Sequence, residues 1–137
     1  MQLPKDDRER MERINGILSE ISSMKGSCIV LVEGQNDVAA LRNCGVDAEF
    51  ICVQSSAGGP ARAAETVWKS GKCAVILTDW DRRGNMIADS LRTGLMSLGA
   101  KYDTRLRSEL GALLKPYCAD VESIDSVMLM MQRKILG

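Results

Sequence analysis

Asp79 and Asp81 stand two residues apart in the segment VILTDWDRRGN, and Arg82, Arg83 and Gly84 follow at once. A third acid, Glu33, closes an earlier apolar run, CIVLVEG, and is also followed by glycine. Carboxylates held close together repel one another, so at least one keeps its proton at neutral pH unless a cation compensates. Oxygen donors with no thiol or imidazole nearby select a hard cation. Mg2+ keeps several waters, takes one or two carboxylates directly and often completes its shell with substrate phosphate. Glu33, Asp79 and Asp81 are therefore the candidate metal ligands, with Mg2+ as the expected cofactor. Arg82 and Arg83 follow the acids and are candidates for phosphate or nucleic-acid binding. Taken singly, each acid is more often a solvated strand-end residue or a helix N-cap. Their joint occurrence at the ends of two apolar runs is what points to a site.

The elements that must position these residues can be read from periodicity. Over residues 5–24 the apolar positions Met11, Ile14, Ile17, Leu18, Ile21 and Met24 have helical spacing, and Gly26 ends the helix. CIVLVEG, AEFICVQ and CAVILTD are short apolar runs that read as buried strands, with residues 28–33, 49–53 and 73–79 as the core strands. Between them lie helical stretches: NDVAALRNCG, then a segment from Pro60 to Gly71, then GNMIADSLRTGLMSLG with its internal Gly94. AKYDTRLR reads as a weaker fourth strand, and SELGALLKPY and ESIDSVMLMMQRKIL as two closing helices. Alternating strands and helices predict an α/β fold: three-layer and Rossmann-like, with a mainly parallel central sheet of about four strands. A single domain is expected over 1–137, with an N-terminal helix (1–25), a core (26–106) and C-terminal helices (107–137). In such sheets the working site lies beyond the carboxyl ends of the strands. If the first and third strands are neighbours, Glu33, Asp79 and Asp81 converge there.

Composition limits the chemistry. The chain has 137 residues and no histidine, so carboxylates, thiols, hydroxyls and amines must supply any acid–base group. Lys+Arg 18 balance Asp+Glu 18, which argues against bulk electrostatic capture of nucleic acid and for a local patch or a metal. The five cysteines form no CxxC pair and read as small buried hydrophobes. No apolar run approaches the ~20 residues of a membrane span, so a cytoplasmic location and no membrane partner are expected. The glycines of SSAGGPAR suit either a phosphate cradle or a plain helix entry. Arg105 and Arg107 are further candidates for the rim or for solvent. The Met-rich VMLMMQ suits either the core or an interface, leaving open a homodimer or a partner protein.

VEGQND (Val32–Asp37) followed by TDWDRRGN (Thr78–Asn85) resembles the Toprim domain shared by topoisomerases and bacterial-type primases. The likeness spans about residues 26–106, with EGQND like an E-G-x-x-D turn and DWDRRG like a D-x-D-x-x-G. The chain length resembles the small stand-alone Toprim proteins, one relative of which is a ribonuclease maturing a ribosomal RNA. The resemblance implies that Glu33 is the catalytic general acid or base and that Asp79 and Asp81 bind Mg2+. One ion or two would be held, with Mn2+ able to substitute. Asp37 would lie in a second shell or cap the helix it begins. It implies action on phosphodiester bonds of RNA or DNA, nuclease-like, or alternatively a non-catalytic Mg2+-dependent module binding nucleic acid or nucleotide in a larger complex. Two departures stand out: Trp80 lies between the aspartates, either packed under the sheet or offering a stacking face, and Arg83 replaces a third acid found in topoisomerases. Tyr102 and Tyr117 match no topoisomerase motif, and no zinc module of a primase is present.

Overall fold

The computed structural model describes residues 2–55 and 57–137. Four strands, β1 (Cys28–Val32), β2 (Glu49–Cys52), β3 (Cys73–Ile76) and β4 (Tyr102–Asp103), form one sheet in the order β2-β1-β3-β4. Every pairing is parallel, with Val30 opposite both Phe50 and Val75. Among the described residues the α-helices are α1 (Asp7–Ser23), α2 (Gln35–Asn43), α3 (Gly59–Ser70), α4 (Arg82–Leu98), α5 (Arg105–Leu114) and α6 (Ile124–Leu136). The expected α/β, three-layer architecture is what the chain adopts.

The layers follow from strand alternation, because successive side chains leave opposite faces of a sheet. Val30 and Val32 of β1, with Val75 and Leu77 from β3 and its extension, pack against α1, α2, α5 and α6. Ile29 and Leu31, with Ala74 and Ile76, face α3 and α4. A parallel sheet covered on both faces requires the near-continuous apolar runs seen in the sequence. Asp6 caps α1 by accepting the Glu9 N–H at 2.9 Å, and Ile14, Ile17, Leu18 and Ile21 form its buried stripe. Gly94 is tolerated within α4 because that helix crosses α3 closely there: a Cβ at 94 would sit 3.1 Å from the Ala64 Cβ.

Two sequence expectations need adjustment. The strands are shorter than expected, ending at Val32, Cys52 and Ile76. Beyond Ile76 the chain stays extended: Leu77 N–H still reaches the Leu31 carbonyl at 2.9 Å, but Thr78 and Asp79 turn their carbonyls to the Arg107 guanidinium instead of to a strand. The fourth strand is only Tyr102–Asp103, since the Asp103 side chain accepts the Leu106 N–H at 3.1 Å and turns the following residues into α5. In the SSAGGPAR loop, Ser56 lies outside the described residues. Gly58 and Gly59 take φ of 91° and 57° and lead into α3 with Pro60 in its first turn, a helix entry. Among the described residues, no helix is long and apolar enough to cross a membrane.

Candidate metal and phosphate site

The acids line one cleft at the carboxyl end of the sheet, as its topology dictates. β1 and β3 are adjacent, so the residues leaving them emerge side by side. Glu33, one residue past β1, accepts the Asp79 backbone N–H on Oε2 at 2.8 Å and is itself buried. Asp79 and Asp81 line the same cleft, of about 440 Å³, together with Asp37, Gln54, Arg83 and Glu122. The pairing of β1 with β3 brings Glu33 to the backbone N–H of Asp79, 46 residues away in the chain.

Each acid is held differently. Asp79 Oδ1 accepts the Val121 N–H at 2.9 Å. Burial, then repulsion from Glu33 and Asp37, pushes its carboxyl up to about 7, while the Val121 amide works in the opposite direction. Asp81 is the N-cap of α4, its Oδ1 accepting the Gly84 N–H at 2.7 Å. Asp37 closes the turn after β1 by accepting the Gly34 N–H at 3.0 Å, and burial raises it as well. Asp37, expected in a second shell or as a cap of the helix it begins, is the third residue of α2; it reaches back to the N-cap Gly34 and also lines the cleft. Among the described residues, no three Asp, Glu or Cys side chains stand ready-made as a metal cage. Asp79 and Asp81 each commit one oxygen to a backbone amide, and the Asp79 carboxyl group also interacts with that of Glu33. The donors around the cleft are carboxylates and the side-chain amides of Gln35, Asn36 and Gln54, a set that suits a hard cation.

The turn from β3 into α4 explains the glycine after the aspartates. Thr78 Oγ1 donates to the Gly84 carbonyl at 2.8 Å, drawing the first turn of α4 onto the strand end. A Cβ at position 84 would stand 2.0 Å from the Asp79 carbonyl oxygen. Backbone on both sides cannot yield cheaply, so Gly84→Ala is expected to cost about 3 kcal/mol or more. Urea denaturation of the variant and parent checks this; equal midpoints would contradict it.

The two arginines part company. Arg82 and Arg83 are both exposed, but Arg83 lines the cleft and Arg82 does not. The expected pair is therefore one cleft arginine and one outward-facing arginine, because consecutive helix residues point about 100° apart. Arg105 does not join the rim; it pairs with Glu20 and Glu109. Arg107 turns inward, half-buried, and donates to the Thr78 carbonyl at 2.9 Å, to the Asp79 carbonyl and to Asn85 Oδ1 at 2.8 Å. It braces the strand end that carries the aspartates. Trp80 is packed: its Nε1 donates to the Arg107 carbonyl at 2.8 Å, and its ring fills the space above Gly111, where a Cβ would come within 2.3 Å.

Glu122, Gln54 and the Val121 amide were absent from the sequence reading. Glu122 and Val121 lie in a short 3-10 turn, Val121–Ser123, with no periodicity to betray it. Gln54 is brought in by its backbone N–H, which donates to the Glu33 carbonyl at 3.0 Å. Burial pushes the thiols of Cys44 and Cys73 up to about 11, so neither supplies a ready thiolate at neutral pH.

A UPF0292 protein of Methanosarcina barkeri is 36% identical over 119 residues, covering 85% of this chain and 81% of its own length. The chain belongs to the UPF0292 family. A second UPF0292 protein, from Methanocaldococcus jannaschii, is 31% identical over 86% of this chain and 91% of its own. No family model matches the sequence. The resemblance to Toprim domains is thereby corrected: relatives that match along most of the chain are UPF0292 proteins, and two short acidic motifs on a parallel sheet are too little to assign the other family. The fold itself recurs in a solved protein from Aquifex aeolicus, with a TM-score of 0.67 and 21% identity over 88% of this chain and all of that one.

Proposed function

We propose that this UPF0292 protein uses the cleft at the carboxyl end of its sheet to hold Mg2+ and to act on phosphodiester bonds of nucleic acid. The observation that carries the reading is the seating of Glu33 against Asp79, with Asp81 on the same cleft. The cleft is lined by five acids, Glu33, Asp37, Asp79, Asp81 and Glu122, and one arginine, Arg83. An anionic substrate is repelled by that surface until a divalent cation offsets the charge. Mg2+ held through Asp79 and Asp81 would supply a Lewis acid for a phosphoryl oxygen. Glu33 would carry the proton, and Arg83 would hold a phosphate oxygen at the mouth.

The test is incubation of the protein with end-labelled structured RNA and single-stranded DNA in Mg2+, Mn2+ or EDTA. Cleavage in either metal and none in EDTA is the expected result. Metal-dependent binding without cleavage would make the cleft a binding module, and neither binding nor cleavage would overturn the reading. The arginines give a finer check. Arg83→Ala is expected to weaken binding of a fluorescent oligonucleotide and to lower its salt dependence by about one unit of slope, the loss of one phosphate contact. Arg82→Ala should change neither. Equal effects of the two substitutions would contradict the placement of Arg83 at the mouth.

A further inference from the structure

We infer that the turn between α5 and α6 is a positioning element of the acidic cleft, acting through the Val121 backbone amide on Asp79. The inference rests on the reading of the cleft as a cation site. The turn is latched to the aspartate segment at two points. Trp80 N–H donates to the Ala119 carbonyl at 2.9 Å, and Val121 N–H donates to Asp79 Oδ1 at 2.9 Å. The first bond fixes where the turn lies relative to the strand end. The second engages Oδ1 and restricts the rotamers of Asp79, so that its carboxyl group meets the cleft in one orientation.

The latch is rigid because the turn is anchored from behind. Val121 and Ile124 are fully buried among the side chains of α1, α2 and α5, and Asp120 caps the turn by accepting the Ser123 N–H at 2.9 Å. The amide of Val121 thus approaches Asp79 from a fixed scaffold. A donor that orients a metal-binding carboxylate governs affinity without touching the ion, because the free carboxylate otherwise samples rotamers that the bound one cannot use. The same turn carries Glu122 into the cleft wall. The C-terminal segment, expected to be helices outside the core, therefore completes the site.

Val121→Pro tests the role of the amide. Asp120 has φ −135° and ψ 152°, a conformation that accepts a following proline, and Val121 opens its turn, where proline is tolerated. The substitution removes the N–H and keeps a buried apolar group of similar size. Val121→Ala is the control: it keeps the N–H and loses packing. Mn2+ affinity is measured by calorimetry on the parent and both variants, alongside thermal melts without metal.

The expected result is that Val121→Pro weakens Mn2+ binding about 10- to 100-fold, while Val121→Ala binds like the parent despite a lower melting temperature. Parent-like binding by Val121→Pro would overturn the positioning role and leave the cation site standing. Equal weakening by both variants would also overturn it, by assigning the effect to packing. A parent protein that binds no Mn2+ would overturn the cation reading and this inference with it. Should Val121→Pro fail to fold, an ester linkage between residues 120 and 121 removes the same N–H alone and is read identically.

Discussion

Glu33→Gln is expected to lower metal-dependent turnover by about 10²- to 10⁴-fold, the usual worth of a positioned general acid or base, while nucleic-acid binding stays near the parent value. The reason lies in what the substitution keeps. A glutamine oxygen can still accept the Asp79 N–H that Glu33 now accepts at 2.8 Å, so the strand end keeps its shape. The amide cannot exchange a proton, and only the step that needs one suffers. Single-turnover cleavage and equilibrium binding of the same labelled oligonucleotide separate the two effects. If Glu33→Gln destroys binding as completely as turnover, Glu33 acts as a metal ligand and its role as proton carrier fails.

Asp79→Asn is expected to abolish cation binding and, without metal, to make the protein more stable at pH 8. Burial and the neighbouring acids lift the Asp79 carboxyl to about 7 in the folded chain, against an ordinary value near 3.8 when unfolded. Between those values the folded state holds a proton that the unfolded state has released. The stability this contributes is fully present below pH ~4 and is lost as pH rises through about 7. Asparagine is neutral throughout and can still accept the Val121 N–H, so the variant lacks this decline. Solvent reaches Asp79 in part, so the difference at pH 8 is about 2 kcal/mol after discounting for screening. Urea melts from pH 4 to 8 in EDTA measure it. A parent and variant with parallel stability profiles would contradict the placement of Asp79 in a crowded acidic pocket. Adding Mg2+ at pH 8 should stabilise the parent and leave Asp79→Asn unmoved.

Much of the cleft was legible because parallel sheets expose their working residues at one predictable edge. Glu33 and Asp79 follow apolar runs whose lengths fit strands, and adjacency of β1 and β3 does the rest. Asp37 was legible only as second shell or cap; the structure shows it reaching back from the first turn of α2 to the Gly34 N–H. Arg83 and Arg82 were indistinguishable because adjacency in sequence hides the rotation of a helix. Arg107 was hard to place because it looks like any exposed helical arginine until the strand end is seen to lack other partners for its carbonyls. Val121 was invisible for a deeper reason: its contribution is a backbone amide, which every residue except proline possesses. The family could not be read from the acids either. Two short motifs reflect what a parallel sheet and a charged edge allow, and several unrelated families share those constraints.

In the proposed function a divalent cation is held through Asp79 and Asp81, beside Glu33. Stepwise addition of Mn2+ to the uniformly 15N-labelled protein tests it most directly, by recording which backbone amide signals the paramagnetic ion broadens first. Early loss of the Gly34, Asp79, Trp80 and Val121 signals is expected at substoichiometric Mn2+, restored by excess Mg2+ and absent in Asp79→Asn. Early broadening at exposed acids such as Asp47 or Asp89, with the cleft signals unchanged, would contradict it.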